Sequence, residues 1–172
     1  MKVVADTRLL RNEIDHWRKN GETIAFVPTM GQLHEGHLSL VRVANERAQR
    51  CVVSIFVNPA QFGPQEDFAA YPRNPTLDRE KLAGTSVDLL FVPEVSSIYP
   101  QGKMRTYVEV PGLTTILCGQ FRKGHFRGVA TVVQILFNLV QADFALFGEK
   151  DYQQLLLIKH MVSDLALPIK IL

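Results

Sequence analysis

The sequence predicts an α/β domain built on a doubly wound, Rossmann-like parallel sheet. Three observations carry that expectation. Short apolar runs rich in strand formers recur along the chain, with helix-patterned stretches between them. The runs show little alternation, as expected of strands covered on both faces. Loops bearing glycine, histidine and amide side chains follow directly on several runs, where an open parallel sheet collects its ligands.

Thr7 is a candidate N-cap for a first helix, along which Leu10, Ile14 and Trp17 recur at helical spacing until Gly21 closes it. Thr23 to Pro28 reads as the first buried strand. A loop with Gly31 and Gly36 leads into a second helix, from about His37 to Arg50, with Leu40, Val41 and Ala44 inward. Cys51 to Val57 is the next strand, stopped by Asn58-Pro59. Pro59, Gly63, Pro64, Pro72 and Pro75 make the following stretch a loop. Thr76 to Leu82 reads as a short helix and Val87 to Val92 as a third strand. Thr106 to Val110 alternates and fits an edge or hairpin strand. Thr131 to Val140 reads as a buried helix, Asp143 to Phe147 as a fourth core strand, Tyr152 to Asp164 as a helix, and Ile169 to Leu172 as a last strand.

The bulk numbers narrow the class. With 172 residues, 47% hydrophobic and 21% charged, the chain can bury a core without staples. A net charge of +2 projects no field toward nucleic acid or an anionic membrane, and no basic cluster interleaves with aromatics. No apolar run suits a signal peptide or a bilayer span. Cys51 and Cys118 are too few for a disulfide scaffold and have no metal-ligand spacing. A cytoplasmic, reduced setting is the expectation. The chain stops at Leu172 inside an apolar strand-like run, which reads as a truncated form of something longer.

Three strand-end loops carry the candidate chemistry. In Pro28-Thr29-Met30-Gly31-Gln32-Leu33-His34-Glu35-Gly36-His37, the glycines allow close backbone approach to a ligand. A helix start near His37 would offer free N–H groups to a phosphate. His34 and His37 are three apart, so both rings can reach one phosphate chain as imidazolium donors to charge developing on phosphorus. A His-x-x-His pair also suits zinc, but no third ligand stands at the needed spacing; two ordinary loop histidines are the plain reading. In Phe56 to Gly63, the Gln61 amide offers donor and acceptor together to a substrate bearing hydroxyl and carboxylate, or is a surface glutamine in a turn. In Phe147 to Gln154, Gly148 again permits close approach. Lys150 supplies a point charge, Asp151 an acceptor for ribose hydroxyls, and Gln154 lies a turn further on the same face. A solvated helix start is the alternative. A fourth stretch, Arg122 to Gly128, fits a mobile flap over phosphates about as well as a plain surface loop.

The order strand, His-x-Gly-His, helix resembles the signature of the nucleotidyltransferase superfamily, which attacks the α-phosphate of ATP. Pro28 to His37, Phe56 to Gly63, Glu66-Asp67 with Tyr71-Pro72-Arg73, Gly124 to Val133 and Phe147 to Gln154 together resemble the motifs of the pantothenate synthetase family, in that family's order. The resemblance covers essentially the whole chain. It implies that residues 1–172 form the N-terminal ATP- and pantoate-binding domain, with a C-terminal domain absent. It implies condensation of pantoate with β-alanine through a pantoyl adenylate, releasing pyrophosphate and then AMP. His34 and His37 would bind the ATP phosphates, His37 as the acid near the departing pyrophosphate. Met30, Gly31, Gly36, Gly148, Glu149, Lys150 and Asp151 would complete the ATP site, with Lys150 on the phosphates and Gly148 and Asp151 on the ribose. Gln61 and Gln154 would hold pantoate, with Met30 and Phe56 against its gem-dimethyl carbon. Gln61 would also border β-alanine, and Arg122 and His125 would belong to a flap. Magnesium would arrive on ATP, no prosthetic group is implied, and the assembly would be a homodimer.

The chain departs from the family where Cys118 and Lys123 stand in the flap region, which bears on the part Arg122 plays. Two other readings remain: a ligand-binding module with little turnover, and a simple nucleotidyltransferase acting on a phosphorylated substrate. Gln61 and Gln154 speak against the last, which would call for more Arg or Lys.

Overall fold

The computed structural model describes residues 1–63, 66–102 and 104–172. Pro64, one of the prolines read as loop, Gln65 and Lys103 lie outside them. Six parallel strands form one sheet in the order β1-β4-β3-β2-β5-β6. They are β1 (Lys2–Val4), β2 (Ile24–Thr29), β3 (Arg50–Ile55), β4 (Leu89–Phe91), β5 (Phe144–Ala145) and β6 (Lys170–Ile171). The longer helices are α1 (Thr7–Lys19), α2 (Glu35–Arg47), α3 (Pro75–Ala83), α6 (His125–Val140) and α7 (Tyr152–Asp164). Single-turn helices α4 (Val95–Ile98) and α5 (Cys118–Phe121), and 3₁₀ turns at Pro59–Gln61 and Glu149–Asp151, complete the chain.

The strand runs lack alternation because each face of the sheet has its own core. Ile24, Phe26, Val52, Leu89 and Phe91 pack with α1, α6 and α7. Ala25, Val27, Cys51, Val53 and Leu90 point the other way, into a second cluster with Val41, Ala44 and Leu82 from α2 and α3. Successive side chains on a strand thus enter opposite cores. Burying a side chain of Phe26's size contributes about 1.5–3 kcal/mol, and Phe26 is fully buried. On α1, Leu10, Ile14 and Trp17 are the buried positions, as their spacing predicts.

Several boundaries differ from expectation. Asp6, rather than Thr7, caps α1: its carboxylate accepts from the N–H groups of Arg8 and Leu9 at 2.9 and 3.0 Å. Helix α6 begins at His125, well before Thr131. Thr106 to Val110 is not a strand. Its alternation has another cause, because Val108 and Val110 lean on the core while the Val108 N–H donates to Thr131 Oγ1 at 3.0 Å.

The topology positions the site. From β2 the chain crosses to β3 on one side, while β5 lies on the other. A crevice opens beyond the carboxyl ends of the strands where the winding reverses, and ligands of doubly wound sheets bind there.

Candidate active site

A cleft of about 460 Å³ occupies that crevice. Its lining includes Met30, Gly31, His34, Gly36, His37, Phe56, Gln61, Gly148, Lys150, Asp151 and Gln154. These expected residues are thus gathered in one place from three loops spread over more than a hundred positions in sequence. Thr29, Asn58, Tyr71 and an apolar wall from α6 (Val129, Val132, Val133, Leu136) complete it. Glu149, Arg122 and His125 are not among the lining residues. A second, mainly apolar cleft of about 340 Å³ lies on the far side of Met30, Gly31 and Phe56, over the ends of β3 and β4.

The loop after β2 is held by a carboxylate from α3. Asp78, only 2% exposed, accepts the Leu33 N–H at 2.7 Å and the Gln32 N–H at 3.0 Å. Lys81, nearly one turn further along α3, donates to the Leu33 carbonyl at 2.6 Å. The loop bends through φ +86° at Gly31 and +54° at Gln32. A Cβ on Gly31 would stand 3.0 Å from the Asp78 carboxylate and 3.2 Å from Ile55. Glycine therefore serves both the turn and the carboxylate beneath it.

Helix α2 starts at Glu35 with His34 as its N-cap, not at His37. The N–H groups expected to face a phosphate are partly taken: Gly36 N–H donates to His34 Nδ1 at 3.1 Å, and His37 N–H to the His34 carbonyl at 2.9 Å. The tight fold-over of the His34 ring requires Gly36, whose Cβ would fall 2.8 Å from His34 Cε1. His37 Nδ1 accepts the His34 N–H at 3.4 Å, and the two rings lie 4.2 Å apart. With both Nδ1 atoms accepting, the proton of each neutral ring sits on Nε2, which remains to donate to a ligand.

Burial, then the neighbouring His34, holds the His37 pKa below the ordinary histidine value; Lys150 acts the same way, while Asp78 and Asp151 oppose them. The neutral form of His37 is thus favoured before a ligand binds.

The floor is organised by Asn58, which is 1% exposed. Its Nδ2 donates to Gln61 Oε1 at 3.2 Å and to the Gly128 carbonyl at 3.1 Å. Its Oδ1 accepts from the Ala60 N–H at 3.1 Å and the Tyr99 hydroxyl at 2.6 Å. Gln61, 7% exposed, directs its Nε2 at Met30 Sδ, 2.8 Å away. Gln61 and Met30 thus form one polar-apolar corner of the cleft.

Across from the histidines, Gly148 has an ordinary φ of −73° and open space where a Cβ would stand. Lys150 and Asp151 are exposed at the lip. Adjacent glutamines divide their roles because neighbours on a helix point about 100° apart. Gln154 lines the cleft. Gln153 anchors the 113–118 loop, donating to the carbonyls of Leu113 and Ile116 at 2.8 Å and accepting from the Cys118 N–H at 3.2 Å.

In the structure, the Arg122–Gly128 stretch, expected as a flap or a plain surface loop, packs behind the Gln61 turn, and neither Arg122 nor His125 lines the cleft. His125 is buried at the start of α6, behind the Gln61 turn, with Nδ1 2.9 Å from the Gln61 carbonyl and Nε2 3.1 Å from Arg122 Nη1. Arg122 Nε donates to Glu66 at 2.6 Å. Lys123 is exposed.

Two residues that shape the site carry no sequence signal strong enough to single them out. Asp78 acts 45 positions away from Leu33. Asn58 reads in the sequence only as a strand stop, and its burial is what reveals a hub. Among the described residues, no three His, Cys, Asp or Glu side chains converge to hold a metal ion. Nor, among those residues, is any helix long and apolar enough to cross a membrane.

Comparison with known proteins agrees with the geometry. The family described as pantoate-β-alanine ligase matches residues 2–172. The pantothenate synthetase of Shewanella baltica (strain OS155) is 57% identical over 164 residues, covering 95% of this chain and 58% of that protein. That of Methylococcus capsulatus is 56% identical, covering 100% of this chain and 60% of that protein. Among solved structures, pantothenate synthetase from Thermus thermophilus superposes with a TM-score of 0.93 at 49% identity, covering 100% of this chain and 60% of that one. Pantoate-β-alanine ligase from Francisella tularensis, complexed with β-γ ATP and β-alanine, superposes with a TM-score of 0.94 at 39% identity, covering 100% of this chain and 66% of that one. The chain thus spans about three fifths of the length of the curated relatives it matches.

Proposed function

Since this chain belongs to the pantoate-β-alanine ligase family, we propose that residues 1–172 form the ATP- and pantoate-binding domain of an enzyme that condenses pantoate with β-alanine. One observation carries the reading. A single cleft joins a phosphate-suited lip (His34, His37, Lys150) to a floor that is apolar except for amides (Met30, Phe56, Gln61, Gln154).

The residues divide the work as follows. The triphosphate lies along the Nε2–H edges of His34 and His37, with the Lys150 ammonium as a further charge. Asp151 accepts from the ribose hydroxyls, beside the open backbone at Gly148. Pantoate enters the floor, its branched carbon against Met30 and Phe56 and its polar groups on Gln61 and Gln154. Its carboxylate oxygen attacks the α-phosphorus, the bond to the bridging oxygen breaks, and pyrophosphate leaves with that electron pair. The neutral β-alanine amine, bordered by Gln61, then attacks the acyl carbon, the acyl–oxygen bond breaks, AMP leaves with that electron pair, and the nitrogen loses a proton to solvent to give the amide. No covalent bond to the protein is needed, so the chain contributes positioning and charge stabilisation. Magnesium belongs to this reading as the counter-ion of ATP.

A nucleotidyltransferase acting on a phosphorylated substrate is disfavoured by the same floor, which lacks Arg and Lys among the described residues. The reading includes a cytoplasmic setting, in which Cys51 and Cys118 stay free thiols, as they are in the structure. It also includes self-association, supported by Leu117 and Phe121, which are 66% and 87% exposed.

The test is pyrophosphate release in the full-length protein. His37→Ala should cut the adenylation rate about 100-fold, the scale of losing one transition-state donor, and should leave folding intact. An unchanged pyrophosphate burst would remove His37 from the mechanism.

A further inference from the structure

We infer that His125 is a positioning residue for the acid-substrate pocket: it sets the Gln61 turn by hydrogen-bonding the Gln61 backbone carbonyl from behind. The inference rests on the reading that Gln61 holds pantoate, and it adds a residue which never touches the ligand.

The geometry is a closed ring around the 3₁₀ turn. His125 Nδ1 lies 2.9 Å from the Gln61 carbonyl oxygen, which can only accept, so Nδ1 carries the proton and donates. The other ring nitrogen, Nε2, must then accept from Arg122 Nη1 at 3.1 Å. Arg122 Nε donates to Glu66 Oε1 at 2.6 Å, and Glu66 Oε2 accepts the Gly63 N–H at 2.7 Å. Gly63 lies two residues beyond Gln61, so the ring returns to its start. Only a neutral imidazole with its proton on Nδ1 fits this chain of donors and acceptors. Arg122 fixes that tautomer, because a guanidinium can only donate.

The turn is gripped from its other side as well. Asn58 binds the Gln61 side-chain oxygen and the Gly128 carbonyl. Gly128 lets α6 approach so closely that a Cβ there would fall 2.3 Å from the Ala60 carbonyl oxygen. His125 is therefore the rear anchor and Asn58 the front one. The Gln61 amide between them is left with one heading, toward Met30 and the cleft floor. Arg122 and His125 thus serve the substrate acid rather than the phosphates.

The experiment is calorimetric titration of the full-length protein with pantoate and, separately, with ATP. Loss of one buried hydrogen bond predicts that His125→Ala weakens pantoate about tenfold while ATP stays within about twofold. His125→Asn should recover most of the loss, because its Nδ2–H occupies the place of Nδ1–H and can still donate to the Gln61 carbonyl. Gln61→Ala is the control: if it leaves pantoate binding intact, the site reading fails before His125 is in question. If Gln61→Ala weakens pantoate and His125→Ala does not, the positioning role is wrong. Equal loss of both ligands in His125→Ala with no rescue by Asn would make His125 a general structural residue and would also overturn it.

Discussion

The loop after β2 and the loop after β5 face each other across the cleft, and they are held in opposite ways. The first is clamped from below. A buried carboxylate takes two of its amides, a lysine takes a carbonyl, and two successive residues adopt positive φ. The second is exposed at Gly148, Glu149, Lys150 and Asp151, and its 3₁₀ turn has no side-chain cap. A donor gains catalytic value when it is aimed before the charge develops. The histidine side is organised in that sense in the free protein, whereas the lysine side has no comparable support from below.

The widest separation between the two loops should come from Asp78→Ala. It strips the partners of two amides, one of them on buried Leu33. A lost hydrogen bond to a charged group costs roughly 1.5–3 kcal/mol, so the stability loss should reach about 3 kcal/mol in urea unfolding. A loss below about 1 kcal/mol would mean that something other than this carboxylate holds the loop.

Next in size is a paired comparison of glycines. Gly31→Ala places a Cβ in the left-handed region, at a cost of about 1–2 kcal/mol, and presses on Asp78 and Ile55. Gly148→Ala meets nothing within 4 Å and should change stability by less than about 0.5 kcal/mol. It should act only on nucleotide affinity. Equal destabilisation by both would erase the contrast between the loops.

The same contrast explains what the sequence reveals and what it hides. Strands such as Ile24–Thr29 are legible because both faces are buried and the run is apolar almost throughout. Tyr152–Asp164 is legible to the residue. β1 is hidden because it is three residues long with two of them exposed. The start of α6 is obscured because Gly128 looks like a breaker, although close packing on Ala60 demands it. Cleft residues that follow a strand are visible, since sheet topology alone sends them to one place. The supporting carboxylate Asp78 and the His125 anchor work through backbone groups distant in sequence, and periodicity carries no record of such partners.

A smaller effect distinguishes the loops by pH. The folded-state pKa of His37 is depressed, chiefly by burial and then by His34. Its contribution to stability is therefore complete above the ordinary histidine value near 6.5 and is lost as pH falls through the lower folded value. The non-titrating His37→Asn, whose side-chain oxygen can still accept the His34 N–H, should flatten this acid limb in unfolding curves. Tripolyphosphate should raise the His37 midpoint followed by NMR, since a bound anion favours the charged ring. A midpoint indifferent to the anion would show that the ring does not face the phosphates.

The smallest effect on stability belongs to Lys150, and it is the sharpest statement about the open loop. Its side chain is exposed and joins no hydrogen bond or ion pair among the described residues. Lys150→Met should therefore leave the unfolding midpoint nearly unchanged, within about 0.5 kcal/mol. If the ammonium acts only on bound phosphate, the same change should weaken ATP while leaving adenosine binding as it was. Because an exposed point charge is screened by salt, the gap between wild type and Lys150→Met in ATP affinity should narrow as ionic strength rises. The penalty of His37→Ala, a directional hydrogen bond lost from a half-buried ring, should persist. Identical salt dependence in the two variants would mean that both loops meet the nucleotide in the same way, and the division between a clamped side and an open side would fail. A marked drop in stability for Lys150→Met would place the lysine in the scaffold instead.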